Sequence, residues 1–264
     1  EDLVFSGFSS DEVNDFLDYG RRIIENIEAI PRSYLEAVLE TDISAIDHVS
    51  RNKNNMQMLL RSLARNESSM ASNQKLISDI VGDEENNNGS SIGKNTIAEY
   101  LDVLDRLHIT ENQIAFSPNL RSHDRVGKSA KRHFTDVSLA ASALKITPES
   151  LIKDLNTFGL FFEALCEHDL RVYAEANDAK LYHYRDNNTG LEIDAVVEFS
   201  DGEYGAFEVK LGTDTEDEAA KSLLRFSNTM AIKPKFLAII NGLGPAAIQR
   251  PDGVYVIPIT ALRD

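Results

Sequence analysis

The chain has 264 residues, 42% of them hydrophobic and 27% charged, which is enough to bury a core and lies at the soft boundary between one domain and two. A net charge of −16 argues against a simple nucleic-acid binder, because polyanions are held chiefly by Lys and Arg. One cysteine, Cys166, excludes an intramolecular disulfide framework and fits a reducing cytoplasm, and no apolar run approaches the roughly 18 residues of a membrane span.

No signal-peptide pattern opens the chain, and a start at Glu1 rather than methionine reads as a fragment or a trimmed protein. The first half reads as helical. Val13, Phe16, Leu17, Ile23, Ile24 and Ile27 recur at helical spacing over Asp11 to Ile30, and after Pro31 the pattern resumes from Tyr34 to Ile46. Met56 to Leu63 predicts another helix and Leu76 to Val81 a short one. A polar Gly- and Asn-rich loop, Gly82 to Ser91, follows.

Lys94, Asn95 and Thr96 then open an amphipathic helix to Leu107, with a strand-like Gln113 to Phe116 after it. Short helices, a helix with a small polar start and a hairpin are the order of a winged helix-turn-helix, with Lys94 at the head of a recognition helix. The one basic cluster runs from Arg121 to His133. Its Arg121, Arg125, Lys128, Lys131 and Arg132 are candidate nucleic-acid contacts in or beside a wing, and a solvated loop is the alternative. Asp102 and Asp105 discourage deep insertion into DNA, which favours packing or partner binding for this half.

From Pro148 to about His168, Leu151, Leu155, Phe158, Phe162 and Leu165 predict one core-facing helix with Thr147 before its start. Arg171 to Ala174 and Lys180 to Tyr184 read as strands. Residues 191 to 210 carry the strongest signal: a carboxylate inside an apolar run, a turn, and a second apolar run bearing Glu-x-Lys. Residues two apart share a strand face, so Glu208 and Lys210 point one way. A three-residue turn, Ser200-Asp201-Gly202, with Gly in the left-handed third position, pairs Phe199 with Glu203 and so sets Asp194 opposite Glu208. A two-residue turn would split them. Two carboxylates on one face suit a hard divalent cation, with a lysine beside it to offset phosphate charge. The same alternation also suits any half-solvated strand, and Glu163, a candidate third carboxylate, equally suits an ordinary solvated helix position. Asp214 to Met230 predicts a helix, and Phe236 to Ile240 and Val254 to Ile259 predict strands, giving a mixed sheet flanked by helices.

Gly159-Leu-Phe-Phe-Glu163, Tyr184-Arg185, Gly190-Leu-Glu-Ile-Asp194, Phe207-Glu-Val-Lys210 and Val256-Ile-Pro258 resemble the domain of unknown function numbered 4143, which follows an AAA-type ATPase core in many bacterial and archaeal proteins. That family is similar to the PD-(D/E)xK nuclease superfamily, with the helix Glu, strand Asp and E-x-K matching Glu163, Asp194, Glu208 and Lys210; Ile193 stands where the superfamily name has proline. The resemblance implies an α/β protein with a helical, winged-helix-like domain over residues 1–147 and a restriction-endonuclease-like domain over 148–264. It implies Mg²⁺ held by Asp194, Glu208 and Glu163, catalysis by these residues with Lys210, and DNA as substrate. The chain has no Gly-x4-Gly-Lys-Ser/Thr phosphate loop, and the resemblance implies that ATP binding lies in an ATPase core before Glu1. The alternative is a non-catalytic DNA-sensing or protein-docking module of that ATPase.

Overall fold

The computed structural model describes residues 29–84, 93–117, 129–244 and 246–262. The expected helix over Asp11 to Ile30, the polar loop from Gly82 to Ser91, and Arg121, Arg125 and Lys128 fall largely or wholly outside them. The described part is mixed α/β, with helices before and around two sheets.

A helix over residues 29–45 (α1) widens into a π-turn at Val38–Asp42. Lys53–Arg65 (α2) is capped by Asn52, whose side chain accepts the Asn55 amide at 3.1 Å. Asn73–Glu84 (α3) and Lys94–Arg106 (α4) follow, as the spacing predicts. Met56, Leu59, Leu60, Leu76, Ile80, Ile97 and Leu104 are almost fully buried together. Thr110–Gln113 (β1) and Lys131–Phe134 (β2) form a two-stranded antiparallel sheet, and Val137–Leu144 (α5) packs back on α2. The strand therefore begins three residues earlier than the expected Gln113 to Phe116. Ala115 instead bridges in parallel to His183, with the Phe116 amide donating to the His183 carbonyl at 2.6 Å.

The single helix expected from Pro148 is two. Thr147 caps Pro148–Lys153 (α6) through a reciprocal pair with Ser150, and Asp154 then breaks the chain and caps Leu155–Ala176 (α7) through the Thr157 amide. The helix runs eight residues past His168, so the strand expected at Arg171 to Ala174 is its last two turns. The apolar stripe also differs: Leu155 and Leu165 are exposed, and Phe162, Cys166, Leu170 and Ala174, each four apart, face the sheet. Aromatic and aliphatic residues on both faces hid which stripe is the inner one.

The main sheet has six strands: Lys180–Asp186 (β3), Leu191–Glu198 (β4), Tyr204–Lys210 (β5), Phe236–Asn241 (β6), Ile248–Gln249 (β7) and Tyr255–Pro258 (β8), in the order β3-β4-β5-β6-β8-β7. The β5-β6-β8 pairs are parallel and the others antiparallel. One face packs on α7, and the other on Glu216–Thr229 (α8) through Ala219, Ala220, Leu223 and Phe226. Phe116, from before β2, is buried in this second core against Tyr182, Tyr204 and Phe226.

The β4–β5 turn has the register that its chemistry predicts. Glu198 pairs Tyr204 and Ala195 pairs Phe207; the Phe199 amide donates to the Glu203 carbonyl at 2.8 Å, and Gly202 has φ +84°. No helix among the described residues is long and apolar enough to cross a membrane.

Candidate functional site: a carboxylate and lysine cluster

Between Tyr182↔Val196 and Tyr184↔Ile193 the β3–β4 register shifts, so that Asp194 and Ala195 together stand opposite His183 alone. This is a β-bulge, a device that re-aims a side chain and ends regular pairing. Its effect is visible in the core: Ile193 and Ala195, two apart, pack on opposite faces of the sheet. The β4–β5 ladder stops at Ala195↔Phe207, one rung before Asp194 and Glu208. There the Asp194 carboxylate takes the place of a backbone acceptor, its Oδ2 receiving the Val209 amide at 2.8 Å.

The gap left between the two strands gathers charge. Lys210 Nζ lies 2.8 Å from Glu208 Oε2 and 3.6 Å from Asp194 Oδ2. Burial, then the Asp194 charge, push the Glu208 carboxyl up to about 8 despite Lys210. Lys210 moves up too, to about 12, because Asp194 and Glu208 override the opposing effect of burial. The two directions agree once the charges are compared: Lys210 faces several acids, while Glu208 shares that one lysine with Asp194 and feels Glu163 as well.

Glu163 comes from α7. Burial and then Asp194 raise its carboxyl to about 7, so it belongs to the same electrostatic cluster. Its direct partner is Lys131 of β2, whose Nζ stands 2.8 Å from Glu163 Oε1 and 2.8 Å from Glu167 Oε1. Lys131 also reaches the Asp194 carbonyl at 3.5 Å, beside Gln113 Nε2 at 3.4 Å; the bulge frees that carbonyl from the ladder. Burial works to lower Lys131, yet Glu167, Glu163 and Asp194 hold it above the ordinary lysine range.

Lys131 is therefore not the surface contact expected for nucleic acid: it is 8% exposed and its ammonium is spent on two glutamates. Arg132 is a second correction, since it turns inward onto the Ala71 carbonyl and Asn73 Oδ1. His133, at the end of the same basic run, is buried between Gln113 and Glu67. Alternating basic residues on a short strand gave the cluster two faces, and both are covered. Lys94, at the first position of α4, is exposed.

Several residues at the site carry no advance signal in the sequence. Ser68, in the left-handed region at φ 56°, aims its hydroxyl at Glu163 Oε1 (3.3 Å) and donates to Glu167. Glu67 accepts the Phe134 amide on both oxygens and, being buried, titrates above the usual carboxylate range. Glu167 alone was open to inference, as the i+4 neighbour of Glu163 on one helix face.

Asp194, Glu208 and Glu163 offer carboxyl oxygens alone, the donor type that a hard divalent cation takes once they are ionised. Asp194 and Glu208 share Lys210, whereas Glu163 is engaged by Lys131. Among the described residues, no group of three or more His, Cys, Asp or Glu side chains converges as a ready metal cage.

Residues 158–262 match the domain of unknown function DUF4143, and residues 21–150 match the domain of unknown function DUF8612. No curated protein matches the chain. Among solved structures, it is similar to the refined half-complex from a tetradecameric assembly of Thermococcus gammatolerans McrB AAA+ hexamers with bound McrC. The identity is 10%, over 77% of this chain and 70% of that chain, with a TM-score of 0.28, a likeness too small to carry an argument about fold or activity.

Proposed function

We propose that the sheet carries a Mg²⁺-dependent phosphodiesterase site of the PD-(D/E)xK type, acting on DNA, in a protein that works with an AAA-type ATPase core. The observation that supports it best is the meeting of Asp194, Glu208 and Lys210 where β4 bulges against β3 and its ladder with β5 ends. A buried excess of carboxylate over lysine is an arrangement that gains from a bound cation. The match of residues 158–262 to DUF4143 is consistent with this reading.

Asp194 and Glu208 would hold the ion, and Glu163 would join them once released from Lys131. A bound Mg²⁺ supplies Lewis acidity toward a phosphate oxygen and a more acidic water. Lys210, already poised between both acids, offsets charge on the phosphate, and its elevated proton affinity keeps it cationic throughout the neutral range. The bulge fixes Asp194 by the Val209 amide, so its second oxygen is oriented before any ligand arrives. We further propose two units divided near residue 147, the first a winged-helix-like module for packing or partner binding.

A second reading is favoured by one observation: Lys131 already neutralises the helix carboxylates. In that reading the nuclease-like frame is kept as a DNA-sensing or protein-docking module without cleavage. Incubating the full chain with plasmid and linear DNA, with and without Mg²⁺ or Mn²⁺, separates the two. Cleavage should require metal and be lost in Asp194→Asn and in Lys210→Ala, both remaining folded. Calorimetry showing no Mg²⁺ or Mn²⁺ binding at millimolar concentration, with or without DNA, would leave only the docking module.

A further inference from the structure

We infer that Lys131 is a built-in latch: its ammonium stands in for a cation at the helix side of the acidic site and withholds Glu163 until β2 moves away. The inference rests on the phosphodiesterase reading of Asp194, Glu208 and Lys210, and it names how that site is regulated. Lys131 comes from the two-stranded sheet, far upstream of the acids it engages, and touches both Glu163 and Glu167 at 2.8 Å. Such paired, charge-assisted contacts are among the stronger ones a protein makes.

The surroundings hold the lysine there. Ser68 and its neighbour Ser69 clamp β2 from the other side, with the Ser68 amide donating to the Arg132 carbonyl at 3.1 Å and the Arg132 amide to the Ser69 carbonyl at 2.9 Å. The Ser68 hydroxyl donates to Glu167 and lies 3.3 Å from Glu163 Oε1, so it sits against the same two glutamates as Lys131. Arg171 of α7 pairs with Glu111 of β1, so a second ion pair ties this small sheet to the same helix. A divalent ion seeking Glu163 meets an ammonium already in contact with it, and the two cations repel. Withdrawal of β1 and β2, through whatever binds the helical half, would expose Glu163 next to Asp194 and complete the donor set. The latch thus couples the position of the helical half to metal occupancy of the sheet.

The test measures Mn²⁺ binding by calorimetry on the full-length chain. Lys131→Met alone leaves the buried Glu167 without its ammonium partner and risks unfolding. Lys131→Met/Glu167→Gln removes that burden, because the amide still meets Ser68, and is the variant to trust. It should bind Mn²⁺ about tenfold tighter than the wild type, the equivalent of one charge-assisted contact no longer lost on binding. Adding Asp194→Asn should cancel the gain. In the wild type, saturating Mn²⁺ should quicken hydrogen exchange at the amides of Lys131–Phe134, a readout that a merely structural lysine would not move. If the folded double variant binds Mn²⁺ within about twofold of the wild type, while Asp194→Asn abolishes binding in both, Lys131 is no latch and the site reading stands. If neither protein binds Mn²⁺, the site reading falls and the latch falls with it.

Discussion

Glu208→Gln should make the protein more stable in alkali and leave it almost unchanged near pH 4. The folded protein raises Glu208 to about 8 from an ordinary 4.5, first through burial and then through Asp194. Between those values the folded state keeps a proton that the unfolded chain has released, so stability falls as pH rises through that window and levels above it. A displacement of this size, with part of it shared among Asp194 and Glu163, corresponds to a loss on the order of 3 kcal/mol by pH 9. The amide is neutral at every pH, so the variant escapes the loss; at pH 4, where Glu208 is largely neutral in both the folded and the unfolded state, the difference should stay within about 1 kcal/mol. Urea denaturation at pH 4 and pH 9 measures both. A variant less stable than the wild type at both pH values would mean that the Lys210–Glu208 contact, not burial, governs this carboxylate. The charge argument for a cation site would then fail.

Two glycines give independent checks on the frame that presents the acids. Gly205 lies under the Phe236 ring, whose Cζ would be 2.3 Å from an added Cβ; Gly205→Ala should cost about 1–3 kcal/mol. Thermal melting should show part of this recovered in Gly205→Ala/Phe236→Leu, and equal melting of the single variant and wild type would contradict the packing. Gly202, at φ +84°, sets the turn that brings Asp194 level with Glu208. Replacement by Ala should cost about 1–2 kcal/mol, with Asn milder than Ala, and a stabilised Ala variant would speak against the left-handed turn.

The turn was legible in the sequence because its chemistry is local: Asp201-Gly202 in three residues leaves one register that joins the acids. The meeting of Asp194, Glu208 and Lys210 follows from that register. The bulge was not legible, since nothing in Ile193-Asp194-Ala195 marks the extra residue; it arises where the β4–β5 ladder ends while β4 stays paired with β3. Helix α7 was misjudged in length and in face because apolar residues occur on both of its sides and only the sheet decides which are covered. Lys131 was misread for a related reason. A basic run looks like a surface until a long-range partner is known, and its partners are 32 and 36 residues downstream.

The short parallel bridge between Ala115 and His183 has a bearing on how the chain divides. The border of the larger sheet at β3 is finished by residues 114–116, which precede α7 and lie on the far side of any cut near residue 147. A piece beginning at Pro148 would present the β3 border with its outward amides and carbonyls unmet near His183, and a hole where Phe116 fills the α8 core. Open borders of this kind recruit strands from other molecules. Soluble expression of the sheet by itself should therefore demand a start before residue 114, and in any exchange of this unit between proteins the short strand would have to travel with it.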